Sequence, residues 1–475
     1  MANHNFTALL PLIILAAAPV TTMIVIAIRR TYEGTFALSM GAVLLAFLSL
    51  FQLPSLPLPV TGLLIIDGYA RFFTGLILMA GFFILLLNYD YLKRREERRE
   101  EFYILLLTAL LGAAILVASA HFASFFLGLE ILSVSLYVLI AYHRMDERCL
   151  EAGIKYFFLA AFSSAFLIFG MGLVYAESGT MRFAEMAMKT VADGGSRTLW
   201  ITGTALIMVG TGFKLAIVPF HLWAADVYEG APAPVTALIA SVSKGAVFAV
   251  LFRYLTQADR PDGDPLVMML MIVSVASMFA GNLLALFQDN VKRILAYSSI
   301  AHIGYLLLVF PGSGNMRATA ALFYLTAYFI TTLGVFGVVT ELSGRGRDAD
   351  RLDDYRGLFF RRPWLAGIFT LMLLSLAGMP LTAGFMGKFF ILASGVKHLL
   401  RIQVLSLILA SAIGLFYYLR VIVVLYQPLP SPTAATGSFK MTGRLALALL
   451  TVLLLWLGIY PAPILEAITG VSAPG

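Results

Sequence analysis

The chain has 475 residues, of which 60% are hydrophobic and 12% charged, and its mean hydropathy is +0.90. This composition lies outside the range of water-soluble globular domains, so a fold built for water is excluded. The net charge of +7 does not indicate nucleic-acid binding, because the basic residues lie mainly in loops between apolar segments, where orientation in a bilayer explains them.

Apolar runs long enough to cross a bilayer recur along almost the whole chain. The first run lacks the basic start of a signal peptide and continues through Ile28, so it is predicted to be a span. The runs number about 14, at roughly 20 apolar residues per span: 8–28, 35–52, 63–88, 102–120, 122–142, 152–176, 198–219, 234–256, 265–287, 292–310, 316–342, 364–395, 402–426 and 443–463. They lack the alternation of a β-barrel, so the sequence predicts an all-α polytopic membrane protein.

Lysine and arginine are distributed unevenly between alternate loops. One set of loops holds 19 of these residues and the other set holds 8. The richer set is expected to be cytoplasmic, which puts both termini on the non-cytoplasmic side. The other six basic residues lie within predicted spans: Arg71, Lys155, Lys214, Lys244, Lys388 and Arg420.

A lysine near the bilayer centre costs about 2.5–3.5 kcal/mol on insertion scales, so several of them need partners or a function. Arg71, Lys155 and Arg420 lie near span ends, where long side chains reach the interface, and a structural role suits them as well as a functional one. The side chains of Lys214, Lys244, Lys388 and Glu130 are predicted to lie deeper in the membrane.

Glu130 has two interpretations. In the first, it forms a buried ion pair with a lysine that only holds helices together. In the second, an acid and a lysine side by side each control the proton affinity of the other, and burial brings such groups into exchange near neutral pH. A chain of such groups carries protons across a membrane, and His221, His302 and Lys292 are candidate relay residues. For both histidines, ordinary helix packing is the alternative.

Two predicted spans carry helix-breaking residues beside a lysine. Pro219 follows Lys214 by five residues, whereas Pro380 and several glycines precede Lys388. Interrupted membrane helices line cavities and mark ion paths in transporters, although a simple proline kink is the alternative.

Each broken span is the fourth member of a unit of five spans, and units with an odd number of spans must have opposite orientations. The sequence therefore predicts four parts: three N-terminal spans (1–101), a first repeat (102–256), a second, inverted repeat (257–426), and a loop with the last span (427–475).

Residues typical of a cofactor or metal site do not occur in a recognisable pattern. Cys149 is the single cysteine, and no Gly-rich dinucleotide fingerprint, iron–sulfur cysteine set or cluster with metal-ligand spacing is present. We therefore expect no redox active site, cofactor or metal in this chain.

Several stretches make the sequence recognisable, among them GLEILSVSLYVLIAYHR, EAGIKYFFLAAFSSAFLIFGMGLVY, GTGFKLAIVPFHLWAADVYEGAPAPVTALIASVSKGAVF, VKRILAYSSIAHIGY and LAGMPLTAGFMGKFF. They resemble the antiporter-like, proton-translocating subunits of bacterial NADH:quinone oxidoreductase, respiratory complex I, over approximately 60–425. The resemblance implies that Glu130 and Lys214 match the glutamate–lysine pair of that family. It also implies that Lys244 is the central-axis lysine and Lys388 the lysine of the second broken helix, which fits the N type better than the M type.

The resemblance also implies a location and partners. The chain is expected in a bacterial inner membrane beside the other membrane subunits of complex I, with NADH, FMN, iron–sulfur clusters and quinone on partner subunits. The same family includes subunits of cation/proton antiporters and of related hydrogenases and dehydrogenases, so these remain alternatives. A non-pumping membrane scaffold is a further alternative.

Overall fold

The computed structural model describes residues 2–53, 57–95, 99–186, 197–257, 264–311, 314–397, 401–428 and 441–471. Helices make up most of this part of the chain, and the predicted all-α polytopic fold is confirmed. Of the loop residues in the charge count, Arg98, Lys189, Arg260 and Lys440 lie outside the described residues.

The first half of the chain forms nine helices in the described part. They are α1 Ala2–Ile28, α2 Tyr32–Ser49, α3 Gly68–Lys93, α4 Glu101–Ala118, α5 Phe122–Ile140, α6 Glu147–Ser178, α7 Arg197–Leu215, α8 Trp223–Gly230 and α9 Ala233–Thr256. A π-helical turn at Ile239–Ser243 interrupts α9 just before Lys244.

The second half continues with α10 to α18. They are α10 Pro265–Leu286, α11 Val291–Leu307, α12 Gly314–Leu342, α13 Leu358–Arg361, α14 Pro363–Ala377, α15 Ala383–Lys397, α16 Arg401–Tyr426, α17 Met441–Ile459 and α18 Ala462–Thr469. Short 3-10 turns lie at Leu50–Gln52 and Leu352–Tyr355.

Twelve helices of the described part are long and apolar enough to cross a membrane. The predicted span 292–310 corresponds to α11, which has 17 residues, and the predicted span 364–395 corresponds to the two shorter helices α14 and α15. The count of about 14 spans and the division into inverted repeats stay predictions.

The predicted start of the third span at residue 63 is wrong. Strand β1, Leu58–Val60, pairs antiparallel with β2, Leu64–Ile66, and α3 begins only at Gly68. The turn between the strands has three residues, and two of them, Thr61 and Gly62, have positive φ. Asp67 then caps α3 by accepting a hydrogen bond of 2.7 Å from the backbone N–H of Ala70.

Both predicted helix breaks are present. The first lies between Leu215 and Trp223, and the indole of Trp223 donates to the backbone oxygen of Phe213 at 2.9 Å. The second lies between Ala377 and Ala383, where Gly378 ends α14 with φ of +87°. Carbonyls near a break lose their helical partners, so side chains are needed to satisfy them.

Small residues bring neighbouring helices into close contact. A Cβ on Gly112 would lie 2.5 Å from the backbone N of Leu132, and one on Gly170 would lie 2.6 Å from the backbone O of Gly203. These glycines let α4 pack against α5 and α6 against α7, which is a common way for membrane helices to associate.

The loops rich in Lys and Arg meet at one end of the bundle, which we call the basic end. Arg30 pairs with Glu100 at 3.1 Å, Arg95 with Asp348 at 2.8 Å, and Arg148 approaches Asp350 at 3.6 Å. At the opposite end, the hairpin end, Leu64 bridges Ser119 and His121 bridges Arg182. The two sets of loops separated by the charge count are therefore also separate in space.

The assignment of Arg253 to a loop in the charge count is wrong. The sequence analysis placed it with the loop residues, but it lies inside α9 and is fully buried. Its guanidinium donates to both carboxylate oxygens of Asp67 at 2.7 and 2.8 Å. A buried arginine needs such a bidentate partner, and no spacing in the sequence reveals a partner that lies 186 residues away.

Candidate functional site

Lys214 lies in the last turn of α7, immediately before the first helix break, and is buried. Its ammonium donates to Ser133 Oγ on α5 at 2.7 Å and lies 5.2 Å from the ring centre of Tyr156. Glu130, one turn before Ser133, accepts from Ser164 Oγ at 2.6 Å. The predicted acid and lysine are thus brought into the same site, but each binds a serine hydroxyl.

Lys244 follows the π-helical turn of α9 and is fully buried. Its ammonium donates to Ser299 Oγ on α11 and lies 5.6 Å from the ring centre of Tyr228 on α8. The hydroxyls of Tyr228 and Ser299 are 3.1 Å apart. Three helices therefore converge on this lysine, and its contacts with Ser299 and Tyr228 are with uncharged groups.

A polar stripe runs along α11. Lys292, Ser299, His302 and Tyr305 are spaced by seven, three and three residues, which places them on one face of the helix. His302 contacts two tyrosine hydroxyls, with Nδ1 at 2.7 Å from Tyr324 and Nε2 at 3.3 Å from Tyr418. Tyr418 also bonds to Ser298.

Lys388 lies on α15 beyond the second helix break and is buried. Its ammonium donates to the backbone oxygen of Ala377, the last residue of α14, at 2.9 Å. It also lies 5.0 Å from the ring centre of Tyr305, at the end of the polar stripe. A Cβ on Gly378 would lie 2.8 Å from the side chain of Lys388, so glycine provides both the positive φ and the space for the lysine.

The two remaining relay candidates differ in position. Lys292 begins the polar stripe at the basic end, where it donates to the backbone oxygen of Ala231 at 2.7 Å and to Asp348 at 2.9 Å. His221 is buried in the segment between α7 and α8. Within the described part of the chain, no hydrogen bond joins His221 to Lys214 or Lys244, so these three residues are not directly linked.

Three basic residues considered near span ends occupy peripheral positions. Lys155 forms ion pairs with Glu151 at 2.7 Å and Asp226 at 3.0 Å, Arg420 donates to the backbone oxygens of Leu286 and Gln288, and Arg71 is exposed. None of them contacts the polar stripe among the described residues.

The sequence analysis missed the hydroxyl groups of the site. Ser133 follows Glu130 by three residues, and Ser299 precedes His302 by three, so helical spacing was the signal that could have found them. Tyr418 has no such signal, because it reaches His302 from a helix that is distant in the sequence. Groups of three or more potential metal ligands are absent from the described residues.

A family model described as NADH:quinone oxidoreductase/Mrp antiporter, transmembrane region, matches residues 119–414. Among curated relatives, NADH-quinone oxidoreductase subunit N of Methylococcus capsulatus is 46% identical and covers 100% of this chain and 97% of its own length. The subunit N of Nitrosospira multiformis is 49% identical, with coverage of 98% and 96%.

The chain belongs to the subunit N family of NADH-quinone oxidoreductases. It is therefore a multi-pass membrane protein and a subunit of an NADH-quinone oxidoreductase. The predicted resemblance to the N type is confirmed.

Solved structures share the fold of this subunit N family member. A chain of respiratory complex I from Thermus thermophilus with bound aureothin is 31% identical, with a TM-score of 0.83 and coverage of 97% of this chain and 100% of that chain. A chain of the archaeal membrane-bound sulfane sulfur reductase is 25% identical, with a TM-score of 0.85 and coverage of 99% and 97%. A chain of the Mrp complex of Dietzia sp. DQ12-45-1b, at 20% identity, a TM-score of 0.83 and coverage of 100% and 97%, shows the fold alone.

Proposed function

We propose that this chain is the N-type, proton-translocating membrane subunit of an NADH:quinone oxidoreductase in a bacterial inner membrane. The observation that carries the proposal is the polar stripe of α11: Ser299 binds Lys244, the ring of Tyr305 lies 5.0 Å from Lys388, and His302 lies between them. Full-length relatives named subunit N support the same assignment.

In the proposed mechanism, protons move between Lys244 and Lys388 along α11. A hydroxyl group that accepts one hydrogen bond and donates another passes a proton without acquiring a lasting charge. Ser299 accepts a hydrogen bond from the Lys244 ammonium, and His302 lies one turn further along α11. The ring of Tyr305, another turn along, lies next to the Lys388 ammonium. A broken helix also exposes backbone carbonyls that stabilise a charged side chain inside the membrane, as Ala377 does for Lys388.

Glu130 and Lys214 form a second exchange point within this mechanism. A change in the charge of Glu130 alters how strongly Lys214 holds its proton, since Lys214 on α7 binds Ser133, which lies one helical turn from Glu130 on α5. Ser133 accepts from the Lys214 ammonium, and Ser164 donates to the Glu130 carboxylate. Transfer from Lys214 toward Lys244 would then need water, since no described side chain bridges them.

Electron transfer belongs to partner subunits in this proposal. NADH, FMN, iron–sulfur clusters and quinone would bind there, and the other membrane subunits of the complex would lie beside this chain in the bilayer. The basic end would face the cytoplasm, with both termini on the other side.

The proposal is tested by replacing Lys244 with Met in the assembled complex and measuring the proton/electron ratio in inverted membrane vesicles. We expect the ratio to fall, because Ser299 then lacks the ammonium group that donates to it. Lys155→Met is the matched control, since Lys155 is a half-exposed lysine in peripheral ion pairs, and it should pump as the wild type does. A wild-type ratio in an assembled Lys244→Met complex would exclude this function and favour a non-pumping scaffold.

A subunit of a cation/proton antiporter or of a related hydrogenase or dehydrogenase would carry a similar stripe. Purification in mild detergent separates these alternatives. Flavin, iron–sulfur subunits and NADH:quinone activity in the purified complex would support the proposal, whereas cation exchange without them would support an antiporter.

A further inference from the structure

Asp348 is a buried carboxylate with four hydrogen-bond donors. It lies in the segment between α12 and α13, and its Oδ1 accepts from Tyr91 and Arg95, each at 2.8 Å. Its Oδ2 accepts from Lys292 Nζ and from the backbone N–H of Ala233, each at 2.9 Å. A buried carboxylate with this many donors and two cations is held firmly in one position.

The donors of Asp348 include the first residue of α9, the helix that carries Lys244. Ala231 to Ala233 form an elbow between α8 and α9, and Lys292 holds the other side of this elbow by donating to the backbone oxygen of Ala231 at 2.7 Å. Lys292 thus binds the residue before Pro232, and Asp348 binds the residue after it. We call this pair the Asp348 clamp.

The opposite end of α9 is also fixed by a carboxylate. Arg253, near the last residues of α9, is bound by Asp67, which also caps the start of α3. Tyr91 and Arg95, which bind Asp348, lie at the other end of α3 and just beyond it. Both ends of α9 are therefore tied to the two ends of α3.

The π-helical turn Ile239–Ser243 lies between these two fixed ends. In such a turn an extra residue interrupts the regular hydrogen-bond pattern of the helix. These turns are rare and often occur at functional sites. Lys244 is the next residue. Lys244 therefore lies on a helix whose two ends are both tied to α3.

A cavity of about 440 Å³ at the basic end borders the clamp. Gly230, Pro232, Lys292 and Asp348 contribute to its lining. The clamp therefore lies where the polar stripe begins, at the basic end.

We propose that Asp348 is a positioning residue for proton transfer at Lys244: by clamping the elbow it keeps the Lys244 ammonium on Ser299. This inference rests on the proposed function, because it assigns a proton-transfer role to Lys244. Asp348 itself carries no proton in the reaction.

The test compares Asp348→Asn with Asp353→Asn, an exposed aspartate five residues further along the same segment. Amide hydrogen exchange of residues 231–238 and the proton/electron ratio are measured on the purified, assembled complex. In Asp348→Asn we expect exchange at the elbow to quicken roughly tenfold to a hundredfold, the factor for losing a hydrogen bond to a charged group. The proton/electron ratio should fall, and Asp353→Asn should change neither quantity.

A purely structural role would raise exchange throughout the bundle and lower the amount of complex, with no increase confined to 231–238. That result, or wild-type exchange and pumping in Asp348→Asn, overturns the inference. If Asp348→Asn does not assemble, Asp348→Glu keeps the charge but shifts it by one methylene. Quicker exchange at the elbow with reduced pumping then supports positioning, and wild-type values of both overturn it.

Lys244→Met, measured in parallel, separates the two proposals. It should abolish the pumping contribution of the stripe while leaving exchange at 231–238 unchanged. If Lys244→Met pumps normally, the proposed function fails. If Lys244→Met loses pumping while Asp348→Asn pumps normally, the positioning inference alone fails.

Discussion

The ammonium group of Lys214 donates its hydrogen bond to Ser133 Oγ at 2.7 Å, whereas Glu130, one turn away on the same helix as Ser133, accepts from Ser164. The lysine is thus held by a neutral hydroxyl next to the acid. In the proposed mechanism this arrangement keeps the proton of Lys214 available for transfer, because a direct ion pair would bind it more tightly.

Replacement of Ser133 by Ala should lower the rate of proton pumping by roughly fivefold or more, since a buried ammonium that loses its acceptor costs about 1–3 kcal/mol. Ser135→Ala is the matched control. Ser135 is also buried on α5, and its hydroxyl donates to the backbone oxygen of Ile131, one turn earlier on the same helix. Quenching of a pH-sensitive dye in inverted vesicles measures both variants, and equal rates would contradict the role of Ser133.

Tyr418→Phe removes the hydroxyl shared by Ser298 and His302 while its ring keeps its place beside Tyr417, at 4.3 Å between ring centres. We expect normal assembly but a loss of pumping of about fivefold, as for other unsatisfied buried groups. Tyr426→Phe on the same helix should pump normally, because Tyr426 is exposed and distant from the stripe. Normal pumping by Tyr418→Phe would show that the Tyr418 hydroxyl takes no part in proton transfer.

Gly384→Ala should destabilise the second broken helix. Its Cβ would lie 1.9 Å from the backbone oxygen of Ser375, so α15 must shift, and overpacking of this kind costs about 1–3 kcal/mol or more. Gly367→Ala is the control, because nothing lies within 4 Å of a Cβ there and alanine favours a helix by about 1 kcal/mol. The melting temperature of the purified complex should fall for the first variant only.

Arg253→Met should also lower thermal stability, because it leaves Asp67 without its cation in a mostly buried site. Removal of one partner of a buried ion pair typically costs about 3–5 kcal/mol. The double variant with Asp67→Asn should recover part of this loss, since no unpaired charge remains. A single variant as stable as the wild type would show that the pair does not fasten α9.

The contribution of Asp348 to stability should depend on pH. Burial alone would raise the pKa of Asp348, but the charges of Lys292 and Arg95 outweigh it, so the pKa lies below its usual value. The folded state then binds fewer protons than the unfolded state near pH 4, and the stabilisation is lost as the pH falls through the folded pKa. The difference in melting temperature between the wild type and Asp348→Asn should be constant above about pH 5 and narrow below pH 4.

A gap in melting temperature that stays the same down to acid pH would contradict this assignment. Asp353→Asn, from the exposed position, should show no gap at any pH.

The sequence by itself determined that this protein is an α-helical membrane protein, that Lys214, Lys244 and Lys388 are buried, and that two spans are broken. These properties are local, because an apolar run of about 20 residues selects a spanning helix and a proline or glycine beside it interrupts that helix.

Only the tertiary structure decided which groups meet these lysines. Ser299 binds Lys244 across 55 residues, Asp348 binds Ala233 across 115, and Arg253 binds Asp67 across 186. Such contacts depend on how helices pack against each other, and single hydroxyls and carboxylates carry no periodic signal along the chain. The polar stripe and its clamp therefore become visible only when the helices are assembled.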